Sequence, residues 1–95
     1  MTRIADVRPY ESCNVVGVVL RLSLAPLEGR VSASVGDGTG VITATWHLVR
    51  PTPQLLLGPG TWVALTGVAR VDLDGDLSLW EPNFTVVPSV AGAPA

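Results

Sequence analysis

The stretch VGDGTGVITATW, Val35 to Trp46, constrains the fold of this 95-residue chain more than any other. Upstream, Val31, Ala33 and Val35 alternate with Arg30, Ser32 and Ser34. Downstream, Ile42, Ala44 and Trp46 alternate with Val41, Thr43, Thr45 and His47. A period of two means a strand with one apolar and one polar face. Between the two strands, Gly36-Asp37-Gly38-Thr39-Gly40 places three glycines in five residues. Glycine takes positive φ at little steric cost, and an aspartate side chain accepts from backbone N–H groups two residues on. The stretch therefore reads as a β-hairpin with one buried face. The remaining segments are expected to supply the strands that cover it.

Cys13 to Leu24 is the first strand. Strict alternation turns Val16, Val18, Leu20, Leu22 and Leu24 toward the core and Val15, Gly17, Val19, Arg21 and Ser23 outward. A glycine in the middle of so long a strand predicts a bulge at Gly17. Ala25 to Gly29 connects to the second strand, which opens at Arg30; the third opens at Val41. Leu48 to Gly60 is the longest connection, and Pro51, Pro53 and Pro59 exclude a regular helix through it. Gln54 to Leu57 has room for one helical turn that plugs the end of a barrel. Thr61 to Val71 is the fourth strand, with Val63 and Leu65 on one face and Trp62, Ala64 and Thr66 on the other. Gly67 predicts a second bulge. Asp74-Gly75 is a hairpin turn. Asp76 to Trp80 is the fifth strand, with Leu77 and Leu79 inward and Ser78 and Trp80 outward. Thr85 to Val87 adds a short edge pairing. Residues 1–88 form one domain, and 89–95 a flexible C-terminal tail.

Composition agrees with an all-β class. The chain is 47% hydrophobic, rich in valine and leucine, with ten glycines and eight prolines. A domain of this length buries roughly 60–65% of its unfolded surface. One cysteine, Cys13, cannot form an internal disulfide, and no run approaches the ~20 apolar residues of a membrane span. Nothing resembles a secretory signal, so the expected location is cytoplasmic.

The formal net charge is −2, and all six cations are arginines. Arginine binds phosphate bidentately and stacks on bases, which lysine does less well. Catalysis is not expected. One histidine and one cysteine leave no redundancy for a metal cluster or a nucleophile pair. Asp72, Asp74 and Asp76 around Gly75 have the wrong glycine position for a calcium loop and no distal glutamate. No metal or cofactor is expected.

One long glycine-containing strand, a hairpin, a longer connection and a second hairpin give a five-stranded Greek-key OB-fold barrel. The run Val15-Val16-Gly17-Val18-Val19, then VGDGTGVITATW, PGTWVALTGVAR and LSLWEPNF, resembles bacterial nucleic-acid-binding OB domains. It is most similar to the small actinobacterial stand-alone OB proteins and to the wedge domain of the helicase RecG. More loosely it resembles the simple eukaryotic single-stranded-DNA-binding OB proteins. The likeness covers roughly Ile4 to Val87. It implies a ligand face on the second and third strands, flanked by the loops after strands one and four.

On that face the expected nucleic-acid-binding residues are Arg21, Arg30, Arg70 and His47, with Arg50 just beyond the third strand. Trp62 and Trp80, outward by alternation, are the expected stacking platforms, and Trp46 belongs to the core. No carboxylate is expected there, because Asp37 lies in a turn and Asp72 to Asp76 cap the far hairpin. The expected partner is single-stranded DNA or RNA. The alternative is a protein-interaction or self-associating module, for which Val41, Thr43, Thr45, Val15 and Val19 would form an uncharged outer surface.

Overall fold

The structure, a computed structural model, describes residues 1–48 and 53–88. Six strands make one sheet: β1 (Ser12–Ala25), β2 (Arg30–Gly36), β3 (Val41–His47), β4 (Trp62–Val71), β5 (Leu77–Trp80) and β6 (Asn83–Val86). Their order is β1-β2-β3-β5-β4-β6, and a further β1–β4 pairing closes five of them into a ring. Only β3–β5 is parallel. The five-stranded barrel of the sequence reading is therefore present. The short edge pairing is also present, one to two residues earlier than expected, as β6 on β4 from Val63↔Val86 to Thr66↔Asn83. The expected tail, 89–95, lies outside the described residues, as does Arg50. Among the described residues no helix is long and apolar enough to cross a membrane.

The interior is filled as the hairpin pattern dictates. Val31, Ala33 and Val35 of β2 and Ile42, Ala44 and Trp46 of β3 are all buried. A single 3-10 turn, Pro53–Leu56, leads Leu57 into the core, where it is fully buried. Trp46 meets Phe84 edge-on, ring centroids 5.5 Å apart, and its Nε1–H donates to the Pro82 carbonyl at 2.8 Å. A buried indole needs such a partner for its N–H.

The first strand corrects the sequence reading. Its buried residues are Cys13, Val15, Gly17 and Val19, not Val16, Val18 and Leu20. The register shifts between Val19 and Arg21, so the bulge falls at Leu20 rather than Gly17. One extra residue inverts the alternation. Odd positions face inward before it and even positions after it, which returns Leu22 and Leu24 to the inner face and Arg21 and Ser23 to the outer. Val15 and Val19 thus leave the outer surface on which an apolar interface was expected. Gly67 is not a bulge either; pairing with β1 runs straight through it. Pro82 lies where a Cβ on Gly67 would make contact at 3.4 Å. Burial pushes the Cys13 thiol up, toward its neutral form.

The DGTG turn holds more than a hairpin. Gly38 takes φ +88°, the conformation for which glycine is suited. Asp37 Oδ1 accepts from the N–H groups of Thr39 (2.8 Å) and Gly40 (3.3 Å) and from the Thr39 hydroxyl (2.6 Å). Asp37 Oδ2 accepts from the N–H of Ile4 (2.9 Å), and Thr39 Oγ1 from that of Ala5 (3.1 Å). The turn thereby clamps an N-terminal 3-10 turn, Ile4–Asp6, whose Ile4 is buried. Gly40 serves this contact, since a Cβ there would lie 3.2 Å from Ile4 Cγ2.

Burial pushes the Asp37 carboxyl up, but the Thr39 hydroxyl and the three N–H groups outweigh it and hold it below the ordinary carboxylate value. With the folded-state value depressed, the unfolded chain takes up the proton first as pH falls. The contribution is complete at neutral pH and is lost as pH drops through the folded value. Asp37→Ala is expected to cost about 1–3 kcal/mol at pH 7. It should also flatten the fall in the urea midpoint between about pH 5 and about pH 2. A variant whose midpoint falls over that range as steeply as the wild type would show that Asp37 does not carry this acid sensitivity.

Candidate nucleic-acid interface

Residues directly opposed across a sheet share a face, so the strand register assembles the outer surface row by row. One row runs Arg21 (β1), Ser34 (β2), Thr43 (β3), Ser78 (β5), Arg70 (β4). The next runs Ser23, Ser32, Thr45, Trp80, and a third Ala25, Arg30, His47. The outer ends of the first row are exposed, Ser34 and Thr43 are half-buried, and Ser78 is buried. The row thus carries three hydroxyl side chains between two arginines. At ~4.8 Å per strand, Arg21 and Arg70 are at most about 19 Å apart along the sheet.

The polar rows are partly unsatisfied. Ser32 Oγ and Thr45 Oγ1 pair at 3.1 Å. The buried Ser78 Oγ has no partner among the described residues. Beside the Arg21–Arg70 row, the Arg30 guanidinium of β2 stands 5.0 Å over the Trp80 ring of β5, reaching across β3. Arg30, expected to contact nucleic acid, and Trp80, expected to stack on a base, are joined in one cation–π pair.

His47 is on the face as expected, next to Arg30, but it is engaged. Its Nδ1 lies 2.5 Å from Glu81 Oε1, and the same oxygen accepts from the His47 backbone N–H at 2.6 Å. A carboxylate only accepts, so Nδ1 carries the proton. Glu81 corrects the expectation of a face without carboxylates. It stands there because the chain breaks between β5 and β6: Glu81 adopts φ +52°, donates its N–H to the Thr45 carbonyl at 2.8 Å, and is followed by the buried Pro82. No periodicity in the sequence announces a left-handed glutamate.

Trp62 does not join Trp80. It points outward from β4 but is opposed to Val18 of β1, which is itself opposed to Gly36 of β2. That puts Trp62 on the far side of β1 from the arginine rows. The ring is half-buried, with a buried Nε1 that lacks a partner among the described residues. Of the six expected residues, Arg21, Arg30, Arg70, His47 and Trp80 stand in these three rows; Trp62 stands in the adjoining outward row with Val18, Gly36 and Val41, across β1 from them. The Asp72–Asp76 turn lies beyond Arg70, where Asp72 Oδ1 accepts from the N–H groups of Asp74 and Asp76.

Solved structures with the same arrangement include a replication protein A heterotrimer bound to ssDNA. The TM-score is 0.64 at 20% identity, over 82% of this chain and 58% of that one. A second is the S. pombe Stn1–Ten1 complex, with a TM-score of 0.70 at 17% identity, over 82% of this chain and 59% of that one. The fold is an OB-fold. This OB domain spans under 60% of the length of either chain it matches, and at such identities the likeness establishes the fold alone. No protein-family model and no curated protein matches the sequence.

Proposed function

We propose that this OB domain binds single-stranded nucleic acid along the outer row that runs from Arg21 on β1 across β2, β3 and β5 to Arg70 on β4, as a cytoplasmic binding module rather than an enzyme. In this reading it works in the manner of the bacterial OB domains its motifs resemble. The observation that carries the reading is the row Arg21–Ser34–Thr43–Ser78–Arg70, three hydroxyls between two phosphate-binding side chains. Trp80 adds an aromatic face beside it, and the replication protein A structure bound to ssDNA lends the fold a precedent. Net charge −2 and Glu81 beside His47 argue for modest affinity.

Anisotropy of a labelled poly-pyrimidine strand, read across a salt series, tests this. With about three phosphates neutralised, the slope of log affinity against log salt is expected near −2, from ~0.7 per contact. Arg21→Ala and Arg70→Ala should each lower that slope by about 0.7, for all sequences alike. Trp80→Ala should weaken binding while leaving most of the slope. Because Arg30 already occupies the Trp80 ring, Arg30→Ala and Trp80→Ala should be non-additive in a double-mutant cycle. Absence of binding at millimolar strand, with the protein running as a dimer on a sizing column, would favour the interaction module instead. That second reading rests on Leu24 and Leu27, exposed at the tip of the β1–β2 hairpin.

A further inference from the structure

At one end of the same outer face the chemistry changes from polar to apolar. Beside the DGTG turn a cleft of about 420 Å³ is lined by Val18, Leu20, Gly36, Val41 and the turn residues Gly38 to Gly40. No charged side chain lines it. Its walls, Leu20 and Val41, are 51% and 62% exposed. The Leu20 side chain, turned outward by the β1 bulge, lies over the buried Gly36 backbone and forms part of the cleft surface. The Thr39 hydroxyl is already bonded to Asp37 and Ala5, which leaves it little capacity for a ligand.

The geometry points to this cleft as a stacking pocket for one nucleobase, outside the arginine-bounded row. The inference rests on the interface proposed above. The row beginning at Arg21 and Ser34 is adjacent to the one formed by Gly36 and Val41. A strand whose phosphate is held by Arg21 therefore has its neighbouring base within reach of the cleft. A base is the occupant that matches: it is flat, its faces are apolar, and its phosphate suits the adjacent cation. An aliphatic surface made by Val18, Leu20 and Val41 packs against a π-face by apolar burial without reading the base's edge. The pocket is accordingly tolerant of sequence.

The test uses neutral substitutions, so that the phosphate contacts keep their charge. Oligothymidylate and an abasic strand of equal length, carrying the same phosphates without bases, are titrated against the wild type, Val41→Ser and Leu20→Ala. Both variants are expected to lose about threefold to tenfold in affinity for oligothymidylate, less than an aromatic platform would give. Their affinity for the abasic strand and their salt slope should not change. Equal losses on both strands, or no loss on either, would overturn the pocket while leaving the arginine interface standing. A wild-type dimer that Val41→Ser converts to a monomer would assign the cleft to a second copy of the chain. Failure of the wild type to bind either strand would remove the interface itself and the pocket with it.

Discussion

Gly17→Ala is expected to destabilise the domain by about 3 kcal/mol or more, a large share of the roughly 5–15 kcal/mol that holds such a fold together. Gly17 sits where β1 leaves β4 and bends onto β2: it is opposed to Val63, and Val18 is the first residue opposed to Gly36. A Cβ at Gly17 would lie 2.5 Å from the Gly36 carbonyl oxygen and 2.8 Å from Val35 Cγ1. The first obstacle is backbone, so relief requires β1 and β2 to separate at the corner that closes the barrel. Gly36→Ala provides the contrast. Its Cβ would meet Leu20 Cδ1 at 3.0 Å, the end of a half-exposed side chain that can rotate away. That substitution should cost about 1 kcal/mol, the low end for overpacking. The two urea midpoints decide the matter. Similar small shifts for both would mean that the corner is not held by close backbone approach.

The same corner explains what could and could not be read from the sequence. Strands β2 and β3 were legible because nothing interrupts their alternation between Arg30 and His47, and the glycine-rich turn fixed the register between them. Strand β1 misled because the run Val15 to Leu24 is apolar at nearly every position. Without polar residues to mark a face, the parity can be set only by the bulge, and a bulge at Leu20 carries no residue signature. The glycine that looked like a bulge was a point of close approach. Of the site, Arg21, Arg30, Arg70, His47 and Trp80 were legible as outward residues. Their grouping was not, because it depends on strand order. Trp62 has the same outward parity as Trp80 and lies on the other side of β1. Glu81 was invisible because its place on the face follows from a backbone break between β5 and β6.

Trp46→Ala is expected to cost about 3–5 kcal/mol. The side chain is 2% exposed, and its removal leaves a cavity against Phe84 in a core with few large groups. A domain of this size is expected to be largely unfolded at 37 °C without it. Trp46→Phe separates the packing from the hydrogen bond. It keeps an aromatic ring but leaves the Pro82 carbonyl without its donor, at about 1–3 kcal/mol. Pro82 follows Glu81 directly, and Glu81 spans from the Thr45 carbonyl to the His47 backbone and ring. The indole N–H thus pins, from inside the barrel, the backbone break that sets Glu81 beside His47 and Trp80 beneath Arg30. Trp46→Phe should therefore remain folded and yet bind a single strand more weakly, with the salt slope unchanged because no phosphate contact is lost. Wild-type affinity in a folded but destabilised Trp46→Phe would show that the β5–β6 corner holds its shape without the indole and that the core does not position the site.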